Sequence, residues 1–326
     1  MDTRIKGVVR AGHEPRIMIR CWLTDRPETA GRIAGEDIRE WKPVAREEAG
    51  GAFALFAHDR EAWRVGEGDG GNLALIIDDA GESQFDVMLR ADRQDVELPE
   101  RLICLALTGS GFRGQRQRPW SALRGNLHLT ARYRVDMPAA LVRPALTMIP
   151  AVAAAEAIEI VSHGRLAPSI KWVNDVLVRG AKVSGVLTAA SQSGERIDRV
   201  IFGIGMNIDA APAIEPTPFV PEAGCLSAFD ESLRGGLPDI FHEITARLDA
   251  LLDLVQDGDI DEVFARYRSR AGFVGQEVII WPEGTEDTRT TKPLHRGRVL
   301  ALNPDLSLRL ENHPEPIRQG RMALAG

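Results

Sequence analysis

The sequence predicts an α+β fold in which a mixed or antiparallel sheet carries helices on one side and is followed by a small all-β module. Three observations point to it. Apolar runs of strand length recur at 73–77, 102–107, 126–133, 170–172, 176–178, 183–189 and 200–208, and the last four follow one another too closely for the helical crossovers of a parallel sheet. Two longer stretches, 140–161 and 238–255, have the length and patterning of helices. From residue 271 onward the pattern turns all-β, with strands at 276–281, 296–302 and 307–311 and a hairpin turn at Asn303-Pro304-Asp305. The chain therefore divides into an N-terminal extension of unknown role (1–75), a main α+β domain (76–270) and a C-terminal β domain (271–326).

Taken in order, the extension offers strand-like runs at 16–22 and 52–57, a helical candidate at 27–41 and a glycine-rich linker at 66–71. Only one segment there has a helical period, so no helix-turn-helix is expected. In the main domain Asp136 with Pro138 is read as the start of the helix at 140–161, and His163-Gly164 as its end. Arg143, Glu156, Glu159 and Pro150 interrupt that apolar run, which favours a soluble helix kinked at Pro150 over a membrane span. The second helix shows one apolar stripe through Ile240, Phe241, Ile244, Leu248, Leu251, Leu252 and Val255.

Composition excludes some classes of function. The 326 residues are 44% hydrophobic and 27% charged, as in a soluble globular protein. A net charge of −7 leaves no excess of Lys and Arg to neutralise nucleic-acid phosphates. The three cysteines, Cys21, Cys104 and Cys225, are widely spaced, which disfavours a disulfide framework or zinc site and makes a reducing cytoplasm the expected compartment. The charged N-terminus (Arg4, Lys6, Arg10) does not read as a secretory segment. The seven histidines lack metal-ligand spacing, and no Ser-His-Asp or Cys-His pattern has support from its neighbours. Asp257, Asp259, Asp261 and Glu262 are read as a turn and a helix start, not a calcium loop.

Four segments carry chemistry that patterning leaves unexplained. Lys171-Trp172-Val173-Asn174-Asp175 opens a tight hairpin whose strands flank Arg179-Gly180-Ala181-Lys182. A lysine, an asparagine and an aspartate at the mouth of a buried strand cost several kcal/mol each, by the ~2–7 kcal/mol penalty for unpaired polar groups, unless paired or facing a ligand. Lys171 suits a phosphate or carboxylate, and Asp175 an acceptor or metal role. The glycine- and arginine-rich loop 109–120 is either a flexible connector or a phosphate cradle; no helix follows it, so a dinucleotide fold is disfavoured. Gly203-Ile204-Gly205-Met206-Asn207 ends a strand with two glycines that let backbone approach a flat ligand, although an asparagine closing a strand, such as Asn207, is more often a turn residue. Ser83 is either a helix N-cap, with Asp86 completing a capping box, or a hydroxyl for a ligand.

Together these segments resemble those of the biotin–protein ligases. The hairpin is similar to the Lys-Trp-Pro-Asn-Asp…Lys-Leu-x-Gly-Ile-Leu motif of that family, with Val173 in place of proline. The loop is similar to Gly-Arg-Gly-Arg-Arg-Gly-Arg-x-Trp, and Ser121 to Leu129 to the Ser-Pro-x-Gly-Asn-Leu-Tyr-Leu that follows it. Gly203 to Asn207 match Gly-x-Gly-x-Asn, and Glu82 to Asp86 stand where the family has Ser-Thr-Asn. The resemblance implies a class II synthetase-like sheet followed by an SH3-like β-barrel, over residues 80–326 but not the N-terminal region. It implies a biotin–protein ligase that uses ATP and Mg²⁺ to make biotinyl-adenylate and passes biotin to a lysine of a carboxylase's biotin carboxyl carrier domain, with no nucleic acid or membrane partner and room for a homodimer.

By the same resemblance Lys171, Arg113 and Arg116 are catalytic. Ser83, Gly109, Gly111, Gly114, Trp120, Gly125, Asn126, Asn174, Asp175, Lys182, Gly185, Gly205 and Asn207 bind substrate or ATP, and Asp175 holds Mg²⁺. Two departures stand out. Either register of the loop loses an inner arginine, to Phe112 or to Gln115, so Arg113, Arg116 or Arg118 must substitute. The glutamine that precedes the family's loop is also absent, leaving Thr108-Gly109. Two alternatives stand beside this reading: a lipoate or octanoate ligase, since that family shares the fold and a lysine in this region, and a non-catalytic ligand-binding homologue, motivated by the lost loop arginine and the altered Ser-Thr-Asn segment.

Overall fold

The structure, a computed structural model, describes residues 19, 21–35, 40–56, 60–66 and 71–325. Its elements run β1 (Cys21–Thr24), α1 (Pro27–Ala34), β2 (Lys42–Val44), α2 (Arg46–Phe56), β3 (Ala62–Gly66), β4 (Asn72–Ile77), α3 (Gln84–Arg93) and β5 (Arg101–Ala106). They continue with β6 (Leu127–Pro138), α4 (Ala139–Val161), β7 (Ser169–Lys171), β8 (Asp175–Val178), β9 (Ala181–Ser193) and β10 (Arg196–Met206). Last come α5 (Leu226–Phe229), α6 (Leu237–Gln256), α7 (Ile260–Ser269), β11 (Glu277–Trp281), β12 (His295–Leu302), β13 (Leu308–Leu310) and β14 (Arg321–Leu324).

Ten strands form one mixed sheet in the order β2-β3-β1-β4-β5-β6-β10-β9-β8-β7. Among the described strands of this sheet, β1–β4 and β4–β5 pair in parallel and the other pairs are antiparallel. The strand runs expected from residue 73 onward are all present, and β6 and β9 extend further than their apolar cores suggest. The sheet also continues across the boundary drawn at residue 75: that point falls inside β4, and β1, β2 and β3 of the N-terminal segment extend the same sheet. The strand expected at 52–57 is instead part of α2, because Ala52 and Phe53 bury one face of a short helix kinked at Gly50. The helix expected over 27–41 is described only as α1, and residues 36–39 lie outside the described residues, as do 67–70 of the glycine-rich linker.

Helices cover both faces of the sheet, not one. Ile103 and Leu105 of β5 point into a core shared with α1, α4 and α6, while Leu102 and Cys104 point into a second core under α2 and α3. A strand buried on both sides reads as a continuous apolar run, so the run at 102–107 was the signal for two covered faces. Helix α4 is long and apolar enough to cross a membrane, but it is largely buried in the larger core. Asp136 does not cap it. Strand β6 runs on to Pro138, and Asp136 instead pairs with Arg196 on neighbouring β10. His163 and Gly164, both with positive φ, end the helix as expected.

The C-terminal residues form a separate four-stranded antiparallel sheet, β13-β12-β11-β14. It is tied to the main domain near the lysine hairpin. The Trp172 indole donates to the Leu306 carbonyl at 2.8 Å, and Ile170 bridges Ala271.

Candidate active site

A cavity of about 480 Å³ opens between the ends of β7, β8, β9 and β10, the loop 109–120 and the C-terminal sheet. That size suits a small organic ligand. Of the residues singled out from sequence, Ser83, Arg113, Gly114, Arg116, Trp120, Lys171, Asn174, Asp175, Lys182, Gly185, Gly205 and Asn207 all line it. Gly109, Gly111, Gly125 and Asn126 do not, and each has a structural task nearby.

Lys171 lies at the end of β7 directly opposite Asp175 at the start of β8, with only 7% of its surface exposed. Its ammonium donates to the Phe219 carbonyl. Burial lowers its pKa to about 8, with Lys182, Arg321 and Arg118 pushing the same way and Asp175 opposing. Asp175 forms an ion pair with Lys182 at 2.6 Å. Burial alone would raise its pKa, but Lys182 and Lys171 outweigh that and hold the carboxylate below its ordinary range. The result is a partly desolvated ammonium whose carboxylate neighbour, Asp175, is already shared with a second lysine. Such a group has unused capacity for an anion.

The hairpin is held from behind. Asn174 donates to the Val186 carbonyl at 3.0 Å, and the Tyr267 hydroxyl donates to the Val173 carbonyl at 2.9 Å. The Trp172–Val173 peptide bond is cis.

Trp120 crosses the cavity over β9 and β10, and two glycines make room for it. A Cβ at Gly205 would sit 2.5 Å from the indole ring, and one at Gly185 would sit 3.4 Å from it. The Lys182 ammonium lies 5.9 Å from the ring centroid, within cation–π range. The indole N–H points to His128 Nδ1 at 3.4 Å, while His128 Nε2 is 3.1 Å from the Leu123 carbonyl. An acceptor on one side and a donor on the other require the neutral Nε2–H tautomer. Burial agrees, lowering the His128 pKa to about 4 against the opposing pull of the Leu123 bond. Gly205→Ala is therefore expected to cost about 1–3 kcal/mol through overpacking. In urea denaturation that loss should largely vanish when Trp120→Ala is added, because the clash partner is gone. A single variant as stable as the parent would show that Gly205 is not making room for Trp120.

The four residues outside the cavity wall shape it. A Cβ at Gly109 would collide with the Ala80 carbonyl at 2.4 Å, so glycine lets the loop pin itself to the segment before α3. Gly111 and Gly125 have φ of 68° and 86°, where residues with a Cβ are strained. Asn126 is fully buried, and its Oδ1 accepts from the backbone N–H groups of Ile208, Asp209 and Ala210 at 2.9, 3.0 and 3.1 Å. Its signal in the sequence was real, but it acts on the chain that follows Asn207. Asn207 itself, 2% exposed, donates to the Gly224 carbonyl at 3.0 Å. Ser83 occupies the N-cap position of α3 without making a side-chain capping bond.

The loop arginines separate. Arg116 forms an ion pair with Glu283 of the C-terminal module. Arg118, half-buried, acts electrostatically on both Lys171 and Asp175. Sequence reasoning missed Phe219, His128 and Arg321. The segment 212–223 that brings Phe219 into the wall has no periodicity and reads as a plain connection. His128 stands where the resemblance has tyrosine, and that substitution was the available signal.

Among the described residues no group of three His, Cys, Asp or Glu side chains is positioned to hold a metal ion. Asp175 alone, shared with Lys182, does not make a resident metal site.

The glycine-rich loop, the lysine hairpin and the strands that build this cavity are also the part of the chain shared with known proteins. The biotin/lipoate A/B protein ligase family model matches residues 83–207. The biotin–[acetyl-CoA-carboxylase] ligase of Paracoccus denitrificans is 38% identical over 183 residues, covering 54% of this chain and 72% of that protein. The bifunctional ligase/repressor BirA of Bacillus subtilis is 34% identical over 115 residues, which span only 35% of this chain and 34% of that protein. Among solved structures, a biotin protein ligase from Aquifex aeolicus in complex with biotin and ATP shares the fold, with a TM-score of 0.58 and 19% identity over 77% of this chain and 98% of that one. This chain belongs to the biotin/lipoate protein ligase family.

Proposed function

We propose that the protein is an ATP-dependent biotin–protein ligase that forms biotinyl-5′-adenylate and transfers biotin to a lysine of a carboxylase carrier domain. The observation that carries this reading is Lys171, a buried ammonium that faces the cavity beside Arg118 and Lys182. The biotin carboxylate attacks the α-phosphate of ATP, a P–O bond forms and pyrophosphate leaves. The acceptor lysine, as the neutral amine, then attacks the acyl carbon, releasing AMP and a proton. No enzyme nucleophile takes part, so the protein's task is positioning and charge stabilisation at phosphorus. Lys171 and Arg118 face the carboxylate and phosphates, Trp120 closes over the ligand, and Asn174 and Asn207 shape the nucleotide side. Magnesium would be held chiefly by the phosphate oxygens of ATP, since Asp175 is already shared with Lys182.

The same reading takes the main sheet as class II synthetase-like, the C-terminal sheet as the family's SH3-like module, and the cytoplasm as the compartment. The three free, buried cysteines support the last of these. The far side of the cavity is aromatic, with Phe85, Phe112 and His128, so lipoate and octanoate are tested alongside biotin. Purified protein is incubated with ATP, Mg²⁺ and each acid in turn, and then with an apo biotin carrier domain or an apo lipoyl domain. Biotin on the biotin carrier supports the proposal. Transfer of lipoate or octanoate alone redirects it, and ligand binding without turnover overturns it.

A further inference from the structure

We infer that Arg321, supplied by the first residue of β14 in the C-terminal sheet, is a phosphate-binding residue of the nucleotide site. The inference rests on the ligase reading and assigns a role to a residue outside the main domain. Arg321 lines the same cavity as Lys171. Its guanidinium carbon lies over the Phe219 ring, 3.6 Å from the centroid, and Phe219 is the residue whose carbonyl accepts from Lys171. Stacking of this kind fixes a guanidinium plane and leaves its edge available. One terminal nitrogen donates to the Thr285 carbonyl, while the buried Nε has no hydrogen-bond partner.

The electrostatics agree with the geometry. The pKa of Arg321 is lowered to about 10, first by burial and then by Arg118 and Arg116, with Asp175 and Glu286 opposing. Cations from two separate sheets therefore face one cavity with too little carboxylate to balance them, an arrangement that an oligophosphate would neutralise. The loop lacks an arginine at one of its inner positions, and Arg116 is drawn to Glu283. Arg321 adds a charge near Arg118 and Lys171 from the C-terminal sheet.

The test compares Arg321→Met, which keeps an apolar stem over Phe219, with Arg321→Lys, which keeps the charge. Calorimetry measures ATP and biotin binding separately, and pyrophosphate exchange gives KM for ATP. Arg321→Met is expected to weaken ATP by about tenfold or more, the usual effect of losing one charge-assisted contact, while biotin affinity stays within about twofold. Arg321→Lys should recover part of the loss. ATP affinity unchanged in Arg321→Met, or ATP and biotin weakened equally together with a fall in melting temperature, overturns the inference. Failure of the parent protein to turn over biotin while it binds ATP would count against the ligase reading alone, because the binding comparison still decides the role of Arg321. A parent that does not bind ATP overturns both.

Discussion

Lys171→Ala is expected to lower the rate of adenylate formation by about 10³-fold or more while leaving the fold intact, on the scale of removing a preorganised charge from a transition state. The ammonium is buried, donates to the Phe219 carbonyl and carries a depressed pKa, so its removal also relieves a desolvation cost. Biotin-dependent exchange of labelled pyrophosphate into ATP measures the effect, and near-normal exchange would sink the assignment. The pH dependence has a definite sign. With a pKa of about 8, Lys171 loses its proton well before an ordinary lysine, so kcat/KM for adenylation should fall as pH rises through about 8. In Lys171→Arg the residual activity should lack that limb. Stability moves the other way. A lysine whose folded pKa is lowered from 10.5 to about 8 disfavours folding while charged, and that penalty is relieved as pH climbs between those values.

Asn126→Ala is expected to have the largest effect on stability. One buried oxygen serves three consecutive backbone N–H groups, so truncation orphans the donors of Ile208, Asp209 and Ala210 together. At about 1–3 kcal/mol per orphaned group, the loss should be about 3 kcal/mol or more. For a chain of 326 residues, at ~2.1 cal/mol/K of unfolding entropy per residue, that corresponds to a drop of roughly 4 °C or more in melting temperature. Asn126→Asp keeps the acceptor and loses the amide's donations to the Ala210 carbonyl and, at 3.5 Å, to Asn207 Oδ1, so it should retain more stability than alanine does. Thermal unfolding followed by circular dichroism decides the matter. A drop below about 2 °C for alanine would mean that the turn after β10 holds itself, since ~1 kcal/mol shifts such a chain by about 1.5 °C. Activity should fall as well, through Asn207 at the head of that turn.

The two substitutions also separate what patterning revealed from what it hid. Periodicity located β4 to β10 and the helices α4 and α6, because alternation and apolar stripes are written into neighbouring residues. The lysine hairpin stood out for a related reason, since charged groups at the entry of a buried strand are costly without a task. Gly205 was legible as a close approach, although the approaching group is Trp120. The N-terminal strands were harder to place. Residues 21–66 have weak patterning, and only pairing of β1 with β4 shows that they extend the main sheet.

By itself, the sequence determined the class of fold and the family, and it singled out Lys171, which lies buried in the cavity wall. Tertiary structure alone decided which residues share a wall with it. Asn126, which matches a binding motif, turned inward to fasten a loop. Arg116 was drawn to Glu283, and Arg321 entered the site from another sheet. The physical reason is that secondary structure follows from interactions a few residues apart. A binding wall is assembled by contacts between residues far apart in the chain, whose direction is set by packing and burial rather than by spacing.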